Sequence, residues 1–209
     1  RRRLTFYTEA SINLADDEPL IHQLVAAGFD SVFIGIETPD DAGLAECHKV
    51  QNVGRDLVAD VKRLQRAGLQ VQGGFIVGFD SDTATIFRRQ MEFIQKSGIV
   101  TAMVGLLNAL PDTRLHARLQ REGRLLGRSS GDNVDGTTNF IPRMDLAELR
   151  AGYRRLMESI YAPRPYYQRV RTFLREFKQP KVSFNFSPRA WWAFTRSSVQ
   201  IGIFGRERF

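Results

Sequence analysis

Apolar runs and helical periodicities alternate along this chain. Leu4 to Ala10 reads as a strand, and Glu18 to Gly28 as a helix. Ser31 to Glu37 is the next strand. Gly54 to Gly68 follows as a helix with Leu57, Val58, Val61 and Leu64 on one face. Val71 to Phe79 is a strand and Thr83 to Gly98 a helix, then Thr101 to Leu110 a strand and Thr113 to Gly123 a helix. Gly28, Gly68 and Gly98 each close a helix shortly before a strand, where left-handed dihedrals are favoured. Asp16 or Asp17 is placed to cap the first helix, and Asp82 or Thr83 the third. Consecutive βα units with apolar strands predict an α/β fold with a parallel sheet covered by helices. A doubly wound sheet and part of a (β/α)8 barrel both fit; a whole barrel takes about 250 residues.

The pattern changes after Gly123. Gly127 to Pro142 is rich in Gly, Ser, Asn and Asp and reads as a long loop. Met144 to Tyr161 is a strongly amphipathic helix capped by Asp145, and the remainder is basic, aromatic and expected to be mostly helical. The organisation expected is a βα region over 1–126 and a loop plus helical extension over 127–209.

Composition narrows the picture. The chain has 209 residues and one cysteine, Cys47, so an internal disulfide is excluded and a reducing, cytoplasmic compartment is the expectation. No run approaches the ~20 apolar residues of a membrane-spanning helix. Arg1 to Arg3 lead straight into a strand-like segment, so no secretory signal is expected, and a start at Arg1 suggests a fragment or processed product. The net charge of +7 is concentrated after Arg164. A solvated basic region is the plainer reading of that excess, and no nucleic-acid partner is expected.

Ligands of parallel α/β folds bind at the carboxyl ends of the strands. Those ends carry Thr8, Glu9, Ser11 and Asn13, then Glu37 and Thr38, then Asp80 and Asp82, then Asn108. Their coincidence on one rim points to a site there. The stretch GGFIVGFDSDT, Gly73 to Thr83, is not a triphosphate loop, because Phe79 and Asp80 stand where Lys and Ser/Thr are required. A dinucleotide fingerprint is absent, and the acidic loop would repel a pyrophosphate. Close approach of a neutral or zwitterionic ligand to bare backbone at Gly73, Gly74 and Gly78 remains open. Cys47 and His48 are adjacent and therefore diverge, and no zinc-type spacing exists.

FIGIETP, then Leu44, Lys49, Gln51 and Asn52, then AGLQVQGGFIVGFDSDT, then LLNALPDTRLHARLQREGRL resemble the core of radical S-adenosylmethionine (SAM) enzymes. The branch resembled carries an N-terminal cobalamin-binding domain. TNFIPRM, LRAGYRRLMESIYAPRPYYQR and the aromatic tail resemble its C-terminal extension. The resemblance implies a partial (β/α) barrel followed by a mainly helical extension. It implies SAM as cofactor, with adenine near Gly74, Ile76 and Gly78, and Asp82 close to the usual acidic place. Glu37, Lys49 and Gln51 resemble positions that hold the ribose and methionyl groups. The backbone at Leu107 and Asn108 resembles a further adenine contact, and Glu9 lies at a strand tip facing the same site.

One departure is large. The family holds a 4Fe–4S cluster by three cysteines spaced C-x3-C-x2-C, and this chain has one cysteine. The resemblance therefore implies the SAM-side part of a larger enzyme, inactive alone. Cluster, cobalamin and the rest of the barrel would lie upstream. Methyl transfer to a small-molecule or lipid substrate is the outcome implied, and a non-catalytic half-barrel scaffold is the alternative. The strand at Leu4 to Ala10 would be an open edge, so marginal stability or self-association is expected. Trp191, Trp192 and Phe194 with flanking arginines resemble a peripheral membrane segment, against the plainer reading that they pack on the barrel.

Overall fold

The computed structural model describes residues 4–129, 131, 135–178 and 187–204. Parts of the expected loop over 127–142, of the stretch after Lys178 and of the aromatic tail lie outside the described residues. The chain forms two compact units, Arg1–Lys178 and Gln179–Phe209.

The first unit is built on four parallel strands: β1 (Phe6–Ala10), β2 (Phe29–Glu37), β3 (Gln70–Val77) and β4 (Ala102–Leu106), in the spatial order β1-β2-β3-β4. Sequential order decides between the two architectures. A doubly wound sheet reverses direction at a switch point, whereas βα units laid down in one direction with right-handed crossovers put their helices on one face. The sheet is therefore of barrel type, and a helical extension follows it.

Helices α1 (Glu18–Ala27), α3 (Leu57–Ala67), α4 (Ile86–Ser97) and α6 (Leu146–Tyr161) cover that face, and a short α2 (Asp41–Glu46) sits at the strand exits. Val32, Ile34 and Ile36 of β2, Val71, Phe75 and Val77 of β3, and Val104 and Leu106 of β4 pack against Ile21, Val61, Leu64, Ile94 and Leu156. Each such aliphatic side chain contributes about 1.5–3 kcal/mol on burial. The intervening residues of β2 and β3 point the other way, because strand side chains alternate. Phe33, Gly35, Glu37, Gln72, Gly74 and Ile76 thus occupy a face that no described helix covers. Among the described residues β1 pairs with β2 alone, so it is an edge.

The expected helices form with slightly shorter bounds, and Gly28, Gly68 and Gly98 end theirs in the left-handed region as expected. Asp17 and Asp145 accept N-terminal N–H groups as caps. The third cap differs from expectation. Thr85 stands at the start of α4 with no side-chain cap bond, and the Asp82 carboxylate turns back to the β3 exit. That exit comes at Val77 rather than Phe79, because Gly78 adopts φ 105° and the chain leaves the sheet. The 3-10 turns and α2 were not expected; each is shorter than two helical turns and leaves no periodicity to read.

Helix α7 (Pro163–Glu176) closes the first unit through a buried arginine. The Arg169 side chain is 0% exposed; its guanidinium donates to Ile160 O at 2.8 Å, Gln95 Oε1 at 2.9 Å and Val100 O at 3.2 Å. Tyr161 and Tyr166 flank it, with guanidinium-to-ring distances of 5.7 and 5.4 Å. Its acceptors are a side-chain amide and two main-chain carbonyls, one in the last turn of α6, where the helix dipole favours a cation. We expect Arg169→Leu to cost about 3 kcal/mol, since it orphans buried carbonyls, and Arg169→Lys to restore little, since an ammonium lacks the fork. A lower urea midpoint at unchanged slope would confirm this; a wild-type midpoint for either variant would refute it.

Candidate functional site

The carboxyl ends of β2, β3 and β4 converge on two clefts that share a wall. The smaller, about 320 Å³, lies over the open face and is lined by Phe33, Gly35, Glu37, Gly74, Ile76, Met103, Gly105, Leu107, Asn108 and Leu110, among others. The larger, about 750 Å³, lies between the strand ends and α5 (Arg114–Arg121) and is lined by Glu46, Cys47, His48, Phe79, Leu107, Asn108, Leu110, Thr113, Arg114, Leu115 and Arg118. Leu107, Asn108 and Leu110 belong to both.

An ion pair stands at the end of β2. Lys49 Nζ donates to Glu37 Oε1 at 2.7 Å, and both side chains are largely shielded from water. Glu37 holds φ 66°, a conformation that costs a non-glycine residue on the order of 1 kcal/mol and that persists only where its surroundings enforce it. The surroundings are visible. The β2–β3 register shifts between Gly35 and Glu37, Thr38 N–H donates to Ile36 O, and Asn52 Nδ2 donates to both Gly35 O and Ile36 O at 3.1 Å. A methyl group on Gly35 would stand 2.5 Å from Glu37 Oε1 and 2.9 Å from Lys49 Nζ. The pair therefore lies across the bare backbone of Gly35. One strand over, Gly74 pairs with Gly35 in register, and the Phe33 ring lies where a Gly74 methyl would be, 2.7 Å away.

Just beyond β4, side-chain hydrogen bonds tie the segment from Thr137 to Asn139 to residues 106–109. Asn139 donates to Ala109 O and accepts from Ala109 N–H, Thr138 donates to Leu107 O, and Asn108 donates to Thr137 O and Leu106 O. Asn108 Oδ1 is buried without a hydrogen-bond partner at the wall common to both clefts.

Two aspartates on the β3–α4 loop have opposite environments. Asp80 takes a bidentate contact from Arg124 at 2.6 and 2.9 Å and a 2.6 Å bond from Arg118, with Arg143 at 3.6 Å. Glu46 extends the network by accepting from the Asp80 and Ser81 N–H groups and from Arg118. The Arg124 hydrogen bonds, ahead of those from Arg118, hold the Asp80 carboxyl down at about 2. Asp82 is buried. Its Oδ2 accepts from Gly78 and Phe79 N–H at 2.7 and 3.1 Å while Oδ1 has no partner, and burial pushes its pKa up to about 6.

The ten residues expected at the site are thus distributed. Glu37, Gly74, Ile76, Leu107 and Asn108 line the smaller cleft, and Lys49 joins it through Glu37. Gly78 and Asp82 form the buried turn behind it. Glu9 is exposed on the edge strand, in register with Phe33 and on the same face. Gln51 lines neither cleft; its neighbour Asn52 reaches β2 instead. Sequence reasoning missed Phe33, Met103, Leu110 and Arg114. The alternation in β2 carried a signal for Phe33, but nothing local marked the others. Cys47 and His48, set aside because they diverge, both line the larger cleft across a turn where His48 holds φ 59°.

Four sequential parallel strands with clefts on their carboxyl rim define the class: a barrel-type α/β protein. Comparison with known sequences adds to that. A family model described as Domain of unknown function (DUF4070) matches residues 113–209. An uncharacterized methyltransferase of Synechocystis sp. is 41% identical over 173 residues, covering 81% of this chain and 32% of the relative. The hopanoid C-2 methylase of Rhodopseudomonas palustris is 34% identical over 161 residues, 77% of this chain and 30% of the relative. The bacteriochlorophyllide d C-8(2)-methyltransferase of Chlorobaculum tepidum is 25% identical over 121 residues, 57% of this chain and 27% of the relative. The chain spans about a third of the length of the first two curated relatives. Most of it is therefore similar to one part of proteins named as methyltransferases.

The loop charges give a pH signature. Asp80 is worth on the order of 2 kcal/mol above pH 4, a contribution lost as pH falls through about 2. Asp82 acts in reverse: the folded chain prefers its neutral form, so its contribution is complete below pH 4 and is withdrawn as pH rises through about 6. Asp80→Asn should destabilise at pH 7 and match wild type near pH 2, whereas Asp82→Asn should gain on wild type between pH 4 and 7. Urea unfolding from pH 2 to pH 7 reads both, and parallel curves for the three proteins would contradict the assignment.

Proposed function

We propose that this chain is the SAM-binding part of a methyltransferase barrel of the radical SAM, cobalamin-linked kind, acting on a small-molecule or lipid substrate. The observation that carries the reading is the Glu37–Lys49 pair, held across Gly35 at the end of β2 and facing a glycine-floored cleft. The relatives named as methyltransferases support the reaction class.

The residues present fit SAM. Glu37 and Lys49 offer an anion and a cation to a zwitterionic methionyl group. Gly74, Ile76 and Gly105 offer a low floor for a flat base, with the Asn108 side chain at its edge. Phe33, Met103 and Leu110 would exclude water from it. SAM bound there would supply a methyl group or, on taking one electron from a reduced iron–sulfur cluster held elsewhere in the protein, a carbon-centred radical. The larger cleft, sharing Leu107, Asn108 and Leu110, would seat the substrate beside it. Phe79, Leu107, Leu110 and Leu115 give it apolar walls beside Glu46, Arg114 and Arg118, which suits an apolar body that carries a polar group.

The residues present do not fit an iron–sulfur cluster. A cluster needs three thiolates, and this chain supplies Cys47 alone. Among the described residues no group of three His, Cys, Asp or Glu could hold a metal ion. Cluster and cobalamin would be held by other parts of the protein, upstream of this segment.

Glu37→Gln and Lys49→Ala in the intact protein should each weaken SAM binding at least about tenfold, the scale of one charge-assisted hydrogen bond. Calorimetry with SAM measures this, with Gln51→Ala as the control that leaves affinity unchanged. Wild-type affinity in both Glu37 and Lys49 variants removes the assignment.

A further inference from the structure

The second unit is described as one helix, α8 (Pro188–Gly202), with a short exit through Phe204. No described side chain of α8 is buried. Trp191 is 58% exposed, Trp192 64%, Phe194 64% and Ile201 57%; beyond the helix, Phe204 is 75% exposed. At 100° per residue Trp191, Phe194 and Ile201 share one stripe, and Arg189, Arg196 and Gln200 share another on a different side. The Arg196 guanidinium lies 5.3 Å from the Trp192 ring centre, an arrangement in which the charge can stay wet while the ring is buried.

The charge around this helix has one sign. Between Glu176 and Glu207 the chain has no acidic residue, and it carries Lys178, Lys181, Arg189, Arg196 and Arg206. Trp191, Phe194 and Ile201 on one stripe, arginines on another beside Trp192 and Val199, and no acidic residue within the helix suit a surface that is apolar inside and anionic outside. At 15 residues α8 is about 22 Å long, too short to cross a bilayer. Among the described residues no helix is long and apolar enough to do so.

We propose that α8 is an interfacial helix that docks this protein on anionic lipid bilayers, lying in the headgroup plane with Trp191, Phe194 and Ile201 inserted and Arg189 and Arg196 on lipid phosphates. A substrate that partitions into the bilayer would then be concentrated where the rim clefts lie on the same chain. The docking itself does not rest on the SAM assignment.

Trp191 and Trp192 are the two tryptophans of the chain, so its intrinsic tryptophan fluorescence reports on α8 alone. Vesicles of phosphatidylcholine with phosphatidylglycerol should float with the full chain and shift its emission to the blue. Pure phosphatidylcholine vesicles should do so far less, and salt should reverse the binding. Replacing Arg189 and Arg196 together by glutamine should lower partitioning roughly thirtyfold, at about a factor of five per basic residue. Phe194→Ser with Ile201→Ser should abolish flotation while urea unfolding of the first unit, followed by far-ultraviolet circular dichroism, stays unchanged. Emission already blue-shifted in buffer and dependent on protein concentration would assign this face to a second copy and overturn the proposal. Unchanged emission at saturating anionic vesicles would overturn it as well.

Discussion

Right-handed crossover between parallel strands is the constraint on which the rest of this molecule depends. Laid down in one direction, β1 to β4 send their covering helices to a single face. The opposite face is left to Phe33, Gly35, Glu37, Gly74 and Ile76, residues that would be wasted beneath a helix. The same alternation that puts Ile34 and Ile36 into the core puts Gly35 and Glu37 on the open side, so core and site are two readings of one strand.

The rim is held by charges that neutralise one another. Asp80, Glu46, Arg118 and Arg124 tie α2, the β3–α4 loop, α5 and the turn after it into one network, and that network frames the larger cleft. Asp80 is thereby spent on structure. Asp82 is spent as well, on the N–H groups that the sharp exit at Gly78 leaves without strand partners. Glu37 and Lys49 remain paired with each other at the cleft, a smaller and more displaceable arrangement that a zwitterionic ligand could exchange into.

The strands and most of the helices were legible because their signals are local. Apolar alternation, a 3.6-residue period and a glycine after each helix depend on neighbours in the chain. The candidate site was legible in part. That strand ends would carry it follows from the fold class, and Glu37, Gly74, Ile76, Leu107 and Asn108 do line one cleft. Asn52 stands in the same matching stretch as Gln51, and only the turn that follows α2 decides which of the two adjacent amides reaches β2. A carboxylate just before a helix is placed to cap it, as Asp82 or Thr83 is before α4, unless a nearer pair of N–H groups lies behind, as Gly78 and Phe79 do for Asp82.

By itself the sequence determined the α/β class, the parallel sheet and the rim on which ligands would sit, because hydrophobic period and turn residues act over a few positions. It also determined that one cysteine cannot hold an iron–sulfur cluster, a matter of counting. Only the tertiary structure decided that the strands run in sequential order, that Glu37 turns left-handed to meet Lys49, and that Arg169 is buried on main-chain carbonyls. Those features join residues far apart in the chain, and their energies arise from desolvation and close contact, which exist only once the chain has folded.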